Sequence, residues 1–422
     1  MKRTHTIQLA CLFAIASALT LPADDWPQWR GPNRDGVSAE KGLLQEWPAG
    51  GPKLLWQVKD LGNGYAAPSV VGDRIYVLAN EGLENEFVQA LDVRDGKRIW
   101  STRLGNVGQP KQNPNFPAAR STPTVDGDAL YALGSDGNLA CVESNGGKVR
   151  WKKNLRSDFG GKFGTWAYSE SPLIDGDTLV CTPGGTQATL LALNKRTGDV
   201  LWKCAVPEGD EAAYASAIIV EAAGVKQYVQ LLQKGLVGVD AKSGQLLWRF
   251  AKATSRYNAN IPSPTASGDL IYVGSAGTGG GAVRLKANNG QVSAEEVYFE
   301  AKLPTSIGGV IKLGDLLFGT TASAMLCLDF ASGAVKWEDR ALGAASMLLA
   351  DGRLYLHGEN GDIALVEPTA EGFRAKGRVT PPGQPKRSGA MEKAWAYPVL
   401  ANGRLYICDH GSLWCYEVKA AK

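Results

Sequence analysis

Histidine is nearly absent from this chain of 422 residues, which has only His5, His357 and His410. His5 lies in the N-terminal leader, and two histidines far apart in sequence make neither a metal cluster nor a catalytic set, so they read as hairpin or surface residues. Adjacent cysteines and Cys-x-x-Cys pairs are missing as well, which removes metal knuckles and dithiol redox motifs. Neither sign of charge dominates. A net charge of +3 with 21% charged residues gives no electrostatic footprint for nucleic acid. The longest apolar stretch, residues 7–21, falls short of the about 20 residues of a membrane-spanning helix.

That stretch follows Met-Lys-Arg-Thr-His and precedes Pro22-Ala23-Asp24-Asp25, the pattern of a secretory signal peptide. The expected organisation is a signal at 1–23, an N-terminal lead segment at 24–50 and one repeat domain at 51–422. The product is then secreted, periplasmic or extracellular, with no transmembrane segment after cleavage. Cys11 sits inside the apolar run rather than after it, so it does not read as a lipidation site. Cys141, Cys327 and Cys415 hold equivalent places in three repeats and read as buried thiols. Cys408 and Cys415 flank a tight turn, where secretion permits a disulfide without requiring one.

What the chain has in abundance is glycine, 51 residues, and a repeated phrase of glycine, three residues and tryptophan. It ends at Trp100, Trp151, Trp202, Trp248 and Trp337, and the first steps of 51, 51 and 46 residues fall in the range of propeller blades or solenoids. Turn pairs between apolar runs precede each phrase, from Gly72-Asp73 to Asn402-Gly403, eight in all when Ala223-Gly224 is included. Each unit reads as four short strands with turns every 8–12 residues, which predicts an all-β, eight-bladed propeller of four-stranded antiparallel blades. The last unit lacks its closing strand, and Lys53-Leu-Leu-Trp56-Gln-Val is the unpaired strand that completes it, closing the ring and covering an edge. Units five and seven have lost their tryptophan. Trp56, Trp100, Trp151, Trp202, Trp248 and Trp337 read as residues that dock blade on blade.

This repeat resembles that of pyrroloquinoline-quinone (PQQ) dehydrogenases and of their non-enzymatic relatives, the BamB-like outer-membrane assembly factors. The resemblance runs from Trp26 to Val418. The lead segment Asp25-Trp-Pro-Gln-Trp-Arg-Gly-Pro-Asn-Arg-Asp-Gly36 is similar to that of secreted bacterial PQQ-binding-like propellers. The dehydrogenase branch implies a ring of adjacent cysteines over the quinone and calcium held by Glu, Asn and Asp. This chain has no Cys-Cys, and carboxylates near strand starts, such as Glu170, lack the matching motif. No catalytic, cofactor-binding or metal residues are therefore assigned, and no cofactor is expected; PQQ with calcium belongs to the alternative reading. Gly277-Thr-Gly-Gly-Gly281 lacks the Lys-Ser/Thr of a phosphate loop and reads as a hairpin loop.

Segments leading into the innermost strands of a propeller gather on one face. Here they carry Tyr65, Arg120, Trp166, Tyr168, Glu170, Tyr214, Tyr257, Asn258, Trp395 and Tyr397, a mix typical of binding hot spots. The long connections at 105–120, 156–170 and 380–396 belong to the same face and add Lys111, Arg156, Lys162, Lys386, Arg387 and Lys393 against Asp158 and Glu392. The alternative is that several of these rings plug the channel. The expectation is a non-catalytic scaffold binding a protein or extended peptide, BamB-like in envelope assembly. A PQQ-dependent alcohol or sugar dehydrogenase and a glycan-binding propeller are the alternatives.

Overall fold

Lys53–Val58 pairs antiparallel with Ser412–Glu417, Lys53 opposite Glu417 and Val58 opposite Leu413. The strand missing from the last repeat thus comes from the front of the chain, as its sequence pattern requires. The structure, a computed structural model, describes residues 25–112, 117–255, 259–387, 389 and 392–421. The signal segment, Tyr257 and Asn258 lie outside the described residues.

Eight sheets follow one another along the chain, all antiparallel but for one short parallel strand added to the seventh. Blade one is Ser69–Val71, Arg74–Glu81, Asn85–Asp92 and Arg98–Gly105, and blades two to seven repeat that order. Blade eight is Val399–Ala401, Arg404–Asp409 and Ser412–Glu417, completed by Lys53–Val58. Middle strands such as Ala129–Leu133 are buried along their whole length, because neighbouring blades cover both of their faces. Outermost strands alternate toward solvent, as Arg98–Gly105 does.

The Gly-x-x-x-Trp phrase acts between blades. Gly96, Gly147, Gly198 and Gly244 sit at φ of 73–75°, a backbone conformation that glycine adopts without penalty. A Cβ at each would lie within 2.9 Å of the preceding blade's tryptophan: Trp56, Trp100, Trp151 and Trp202 in turn. Each of these rings also donates its indole N–H to a carbonyl of the following blade, at Val93, Ser144, Lys195 and Ala241. The glycine is therefore the seat on which the previous blade's tryptophan rests. Trp248 departs from the pattern by donating within its own blade to Gln227.

The two degenerate blades keep the same design by other means. In blade five Tyr298 holds the tryptophan's register position, packs on Gly333 and donates to Phe330 O at 2.8 Å. In blade seven that position is Gly377, opposite Leu365 at the bulge, and Trp47 from the lead segment lies where a side chain would be. Trp47 meets Tyr355 at 6.2 Å and 55°, nearly the geometry of Trp56 with Tyr406 at 6.2 Å and 54°. The glycines of 279–281 are not in a loop. They lie in strand Gly279–Asn288, where the Tyr272 ring and the Tyr298–Phe299 backbone leave no room for a Cβ. All six cysteines from Cys141 to Cys415 are free and buried. Cys408 faces Leu413 and Cys415 faces Tyr406, so the hairpin does not bring the two sulfurs opposite each other.

The lead segment threads the ring. Asp25 accepts from Gly72 N–H at the hairpin-turn end of blade one, and Trp26 bridges to Val70. Val37–Ser38 then pairs parallel with the innermost strand of blade seven, and Glu40 accepts from Gly403 N–H in blade eight. Between these ties the chain crosses the axis. Arg34 donates to the carbonyls of Ser171 and Pro172, Arg30 to those of Asp35 and Val310, and Trp29 to the Ser263 hydroxyl. Residues 25–40 therefore run across the ring and tie together blades one, two, three, five, six, seven and eight.

Candidate functional site

Several of the residues singled out in the sequence gather where the blade-to-blade connections meet. Blade closure brings Tyr65 from blade one and Trp395 from the last long connection together, with ring centroids 5.1 Å apart. The Arg120 guanidinium lies 4.6 Å from the Tyr65 ring centroid, a cation–π distance. The Tyr65 ring also meets His410 nearly edge-on at 4.7 Å. The field of Arg120 reaches Tyr214 as well as Tyr65; burial raises the Tyr214 phenol to about 12, and Arg120 partly offsets that rise. Tyr214 packs edge-to-face with Trp166 at 5.7 Å and accepts the Trp166 N–H at 3.1 Å. Trp395, Tyr65, Arg120, Tyr214 and Trp166 thus form one row, with a guanidinium among four aromatic rings. Desolvation pulls Arg120 below the usual arginine range.

Beside the row is a cleft of about 210 Å³ lined by Asn63, Gly64, Ala118, Lys386, Arg387 and His410. Its outer wall, the 380–396 connection, is held down by two ion pairs, Arg387 to Asp409 at 2.6 Å and Lys393 to Glu359 at 2.5 Å. Arg156 pairs with Asp136 and covers the Phe163 ring at 4.9 Å. Much of the basic character expected of this face is therefore neutralised locally.

Within the row Tyr65 and Tyr214 are themselves buried, and the other described strand-entry residues singled out in the sequence are buried too. Tyr168 is fully buried and donates to Pro183 O at 2.7 Å. Tyr397 points inward, donates to Ile307 O and packs on Trp29 of the lead segment at 4.3 Å. Glu170 is buried at the junction of blades three and four, accepting from Thr182 N–H and from Gln230 Nε2 at 2.9 Å. Burial raises its carboxyl to about 7, and Arg34 of the lead segment offsets part of that. His410 escaped sequence reading because its Gly-paired turn looked purely structural, and only ring closure brings it to Tyr65.

A quinone with calcium does not fit these residues. Trp29, Arg30 and Arg34 occupy the axis, Glu170 is committed to its two donors, and no cysteine pair exists. Among the described residues no three His, Cys, Asp or Glu gather to hold a metal.

The family model described as outer membrane protein assembly factor BamB matches residues 36–164 and 84–339, together well over half of the chain. The chain belongs to this family. A BamB of Shewanella oneidensis is 26% identical over 250 residues, 57% of this chain and 56% of that protein. One from Vibrio cholerae is 24% identical over 256 residues, 48% of this chain and 62% of the other. The matches thus span less than two thirds of these relatives' own length. In fold, the crystal structure of BamB from Moraxella catarrhalis superposes with a TM-score of 0.59 at 14% identity, covering 87% of this chain and 99% of that one. The quinohemoprotein alcohol dehydrogenase of Comamonas testosteroni gives 0.51 at 14% identity, covering 94% and 81%. At such identity both show a shared propeller fold and nothing about activity. No helix among the described residues is long and apolar enough to cross a membrane.

Proposed function

We propose that the protein is a non-catalytic scaffold of the cell envelope that docks a protein or an extended peptide on its loop face, in the assembly of outer-membrane proteins. The observation that carries this reading is the Trp395–Tyr65–Arg120–Tyr214–Trp166 row on a rigid ring whose axis its own N-terminus crosses. Aromatic rings around an arginine are the composition of binding hot spots, and a row drawn from five different loops suits an elongated partner. Membership in the BamB family supports the assembly role. The leader at 1–23, outside the described residues, supports export to the periplasm.

The test is cross-linking and pull-down from envelope extracts with wild type and with Trp166→Ala/Trp395→Ala. Loss of a partner in the double variant, with an unchanged melting temperature, supports the docking face. Equal recovery overturns it. A calorimetric titration with PQQ and calcium separates the dehydrogenase reading, which requires saturable heat. Glycan arrays separate a carbohydrate-binding propeller, for which the same rings would serve as stacking platforms.

A further inference from the structure

We propose a ligand site at the seam where the closing strand meets blade one: a cleft that takes an apolar α-amino acid as its zwitterion, the carboxylate on Arg98 and the ammonium on Asp60. The site shares no residue with the docking row and does not depend on that reading.

The repeat itself points to the place. Strand pairing in blade one sets Gln89 opposite Ser101 and Arg98 opposite Leu91, on either side of the bulge at Trp100. By the same register the Gln89 position holds Ala140, Leu191, Val237 and Leu326 in blades two, three, four and six. The Arg98 position holds Val149, Val200, Leu246 and Val335 in the same blades. Glu296 of blade five is the other charge found there, and it pairs with Lys252. Asp60 is a third departure. Four residues beyond the tryptophan, blades one to three bury Leu104, Leu155 and Val206, whereas the same step beyond Trp56 reaches an exposed carboxylate. All three polar residues line one cleft of about 420 Å³, with Val58, Leu61 and Leu91 as apolar walls. That volume lies in the range of small-molecule sites. Departures from a repeat that the fold does not require mark functional positions.

Gln89 is buried, donates to Leu61 O at 2.7 Å and accepts from Arg98 Nε at 2.8 Å. The Phe87 ring centroid lies 5.4 Å from the guanidinium. One edge of the arginine fork is thus fixed. Its terminal nitrogens hold no hydrogen bond among the described residues, Glu81 being 3.9 Å away. A fork held in this way matches a carboxylate. Lys97 does not compete, because Asp95 holds it at 2.9 Å. Asp60 has neither an ion pair nor a hydrogen bond to its side chain among the described residues. With Lys97 and Asp95 cancelling each other, the cleft presents one cation, one anion and an apolar floor. A simple anion meets repulsion from Asp60 and a simple cation meets it from Arg98, whereas a zwitterion with an apolar side chain satisfies both. Because residues 58–61 line one side and blade one the other, an occupant also fastens the closure of the ring.

The experiment is a ligand-observed saturation-transfer NMR titration of the mature protein with leucine, leucinamide and N-acetylleucine. Leucine is expected to saturate the site at millimolar concentration, and each analogue, lacking one charged group, to bind at least about tenfold more weakly. Arg98→Val, the residue that blades two, three and six carry here, abolishes leucine binding with an unchanged melting temperature, because the side chain is exposed. Asp60→Asn weakens leucine and leaves N-acetylleucine no weaker. Leucine also raises the melting temperature of wild type, as a ligand of the folded state alone must. No saturable transfer from leucine up to about 10 mM, or analogues that bind as well as leucine, overturns the proposal. An Arg98→Val variant that melts well below wild type overturns it too, since the Gln89–Arg98 pair then serves to hold Leu61 in place.

Discussion

Trp47 rests on Gly377, whose missing side chain would lie 2.5 Å from the Trp47 Cβ. Blade seven thus receives from the lead segment the ring that the seven other blades carry in their own outermost strands, six as tryptophan and blade five as Tyr298. The contact spans 330 residues of sequence, so it links the fate of the N-terminus to a blade formed near the C-terminus. Trp47→Ala is expected to destabilise by about 3–5 kcal/mol, in the range of removing a buried tryptophan. Trp151→Ala, within a complete blade, serves as the comparison. Chemical denaturation of the two variants checks this, and a loss from Trp47→Ala below about 1 kcal/mol would show the ring to be dispensable.

The strand Lys53–Val58 makes the whole outer edge of blade eight. Replacing those six residues by a Gly-Ser linker of equal length keeps the chain connected but leaves Ser412–Glu417 as an open edge, with Trp56 gone from its seat on Gly96. The variant should melt far below wild type and gain a tendency to self-associate through the exposed strand. Circular dichroism melts with light scattering provide the measurement. An unchanged melting temperature would mean that the ring does not depend on this closure.

The blade count, the turn pairs and the closing strand were legible because each rests on local signals repeated eight times. The glycine and tryptophan of the repeat were legible as a pattern, though not as partners across a blade junction, since their spacing within one unit suggests a contact they do not make. Trp47 and Gly377 carry no such signal: each alone looks like an exception. Arg30 and Arg34 were hidden for another reason. Arginine is rarely buried, and only a chain that crosses the axis finds enough carbonyls to hold two guanidinium groups. Tyr397 read as a face residue because it leads into an innermost strand, but the lead segment offers it Trp29 on the inner side. The Tyr65–Arg120–Trp395 grouping was visible as composition, while its order along the row required the ring to close.

The thiols give a simple chemical check. Burial raises Cys141, Cys204 and Cys327 to about 11 and Cys415 to about 12, with Cys181 and Cys408 also raised. Thiolate is the reactive form. At pH 8 the native protein should release almost no thionitrobenzoate from Ellman's reagent, and denaturation should then expose six thiols without prior reduction. Four titratable thiols instead of six would place a disulfide between a pair, contrary to the Cys408–Leu413 and Cys415–Tyr406 registers.

The two buried glutamates make stability itself depend on pH, in a direction opposite to that of ion-paired surface carboxylates. Glu86 and Glu170 rise from an ordinary 4.5 to about 7 on folding, mainly through desolvation. Between those values the folded state keeps protons that the unfolded chain has lost, so raising the pH favours unfolding. The stabilisation is complete below about 4.5 and is gone once the pH passes about 7, and it amounts to roughly 3 kcal/mol for each group as an upper figure. Glu86→Gln and Glu170→Gln cannot ionise and should each remove their share of the slope, leaving the double variant nearly flat relative to wild type over that window. Urea denaturation at half-unit pH steps measures the slope directly. A wild type whose stability rises from pH 5 to pH 7 as steeply as that of the double variant would mean that both carboxyls ionise in the folded ring near their ordinary values, with Arg120 and Arg34 close enough to neutralise them.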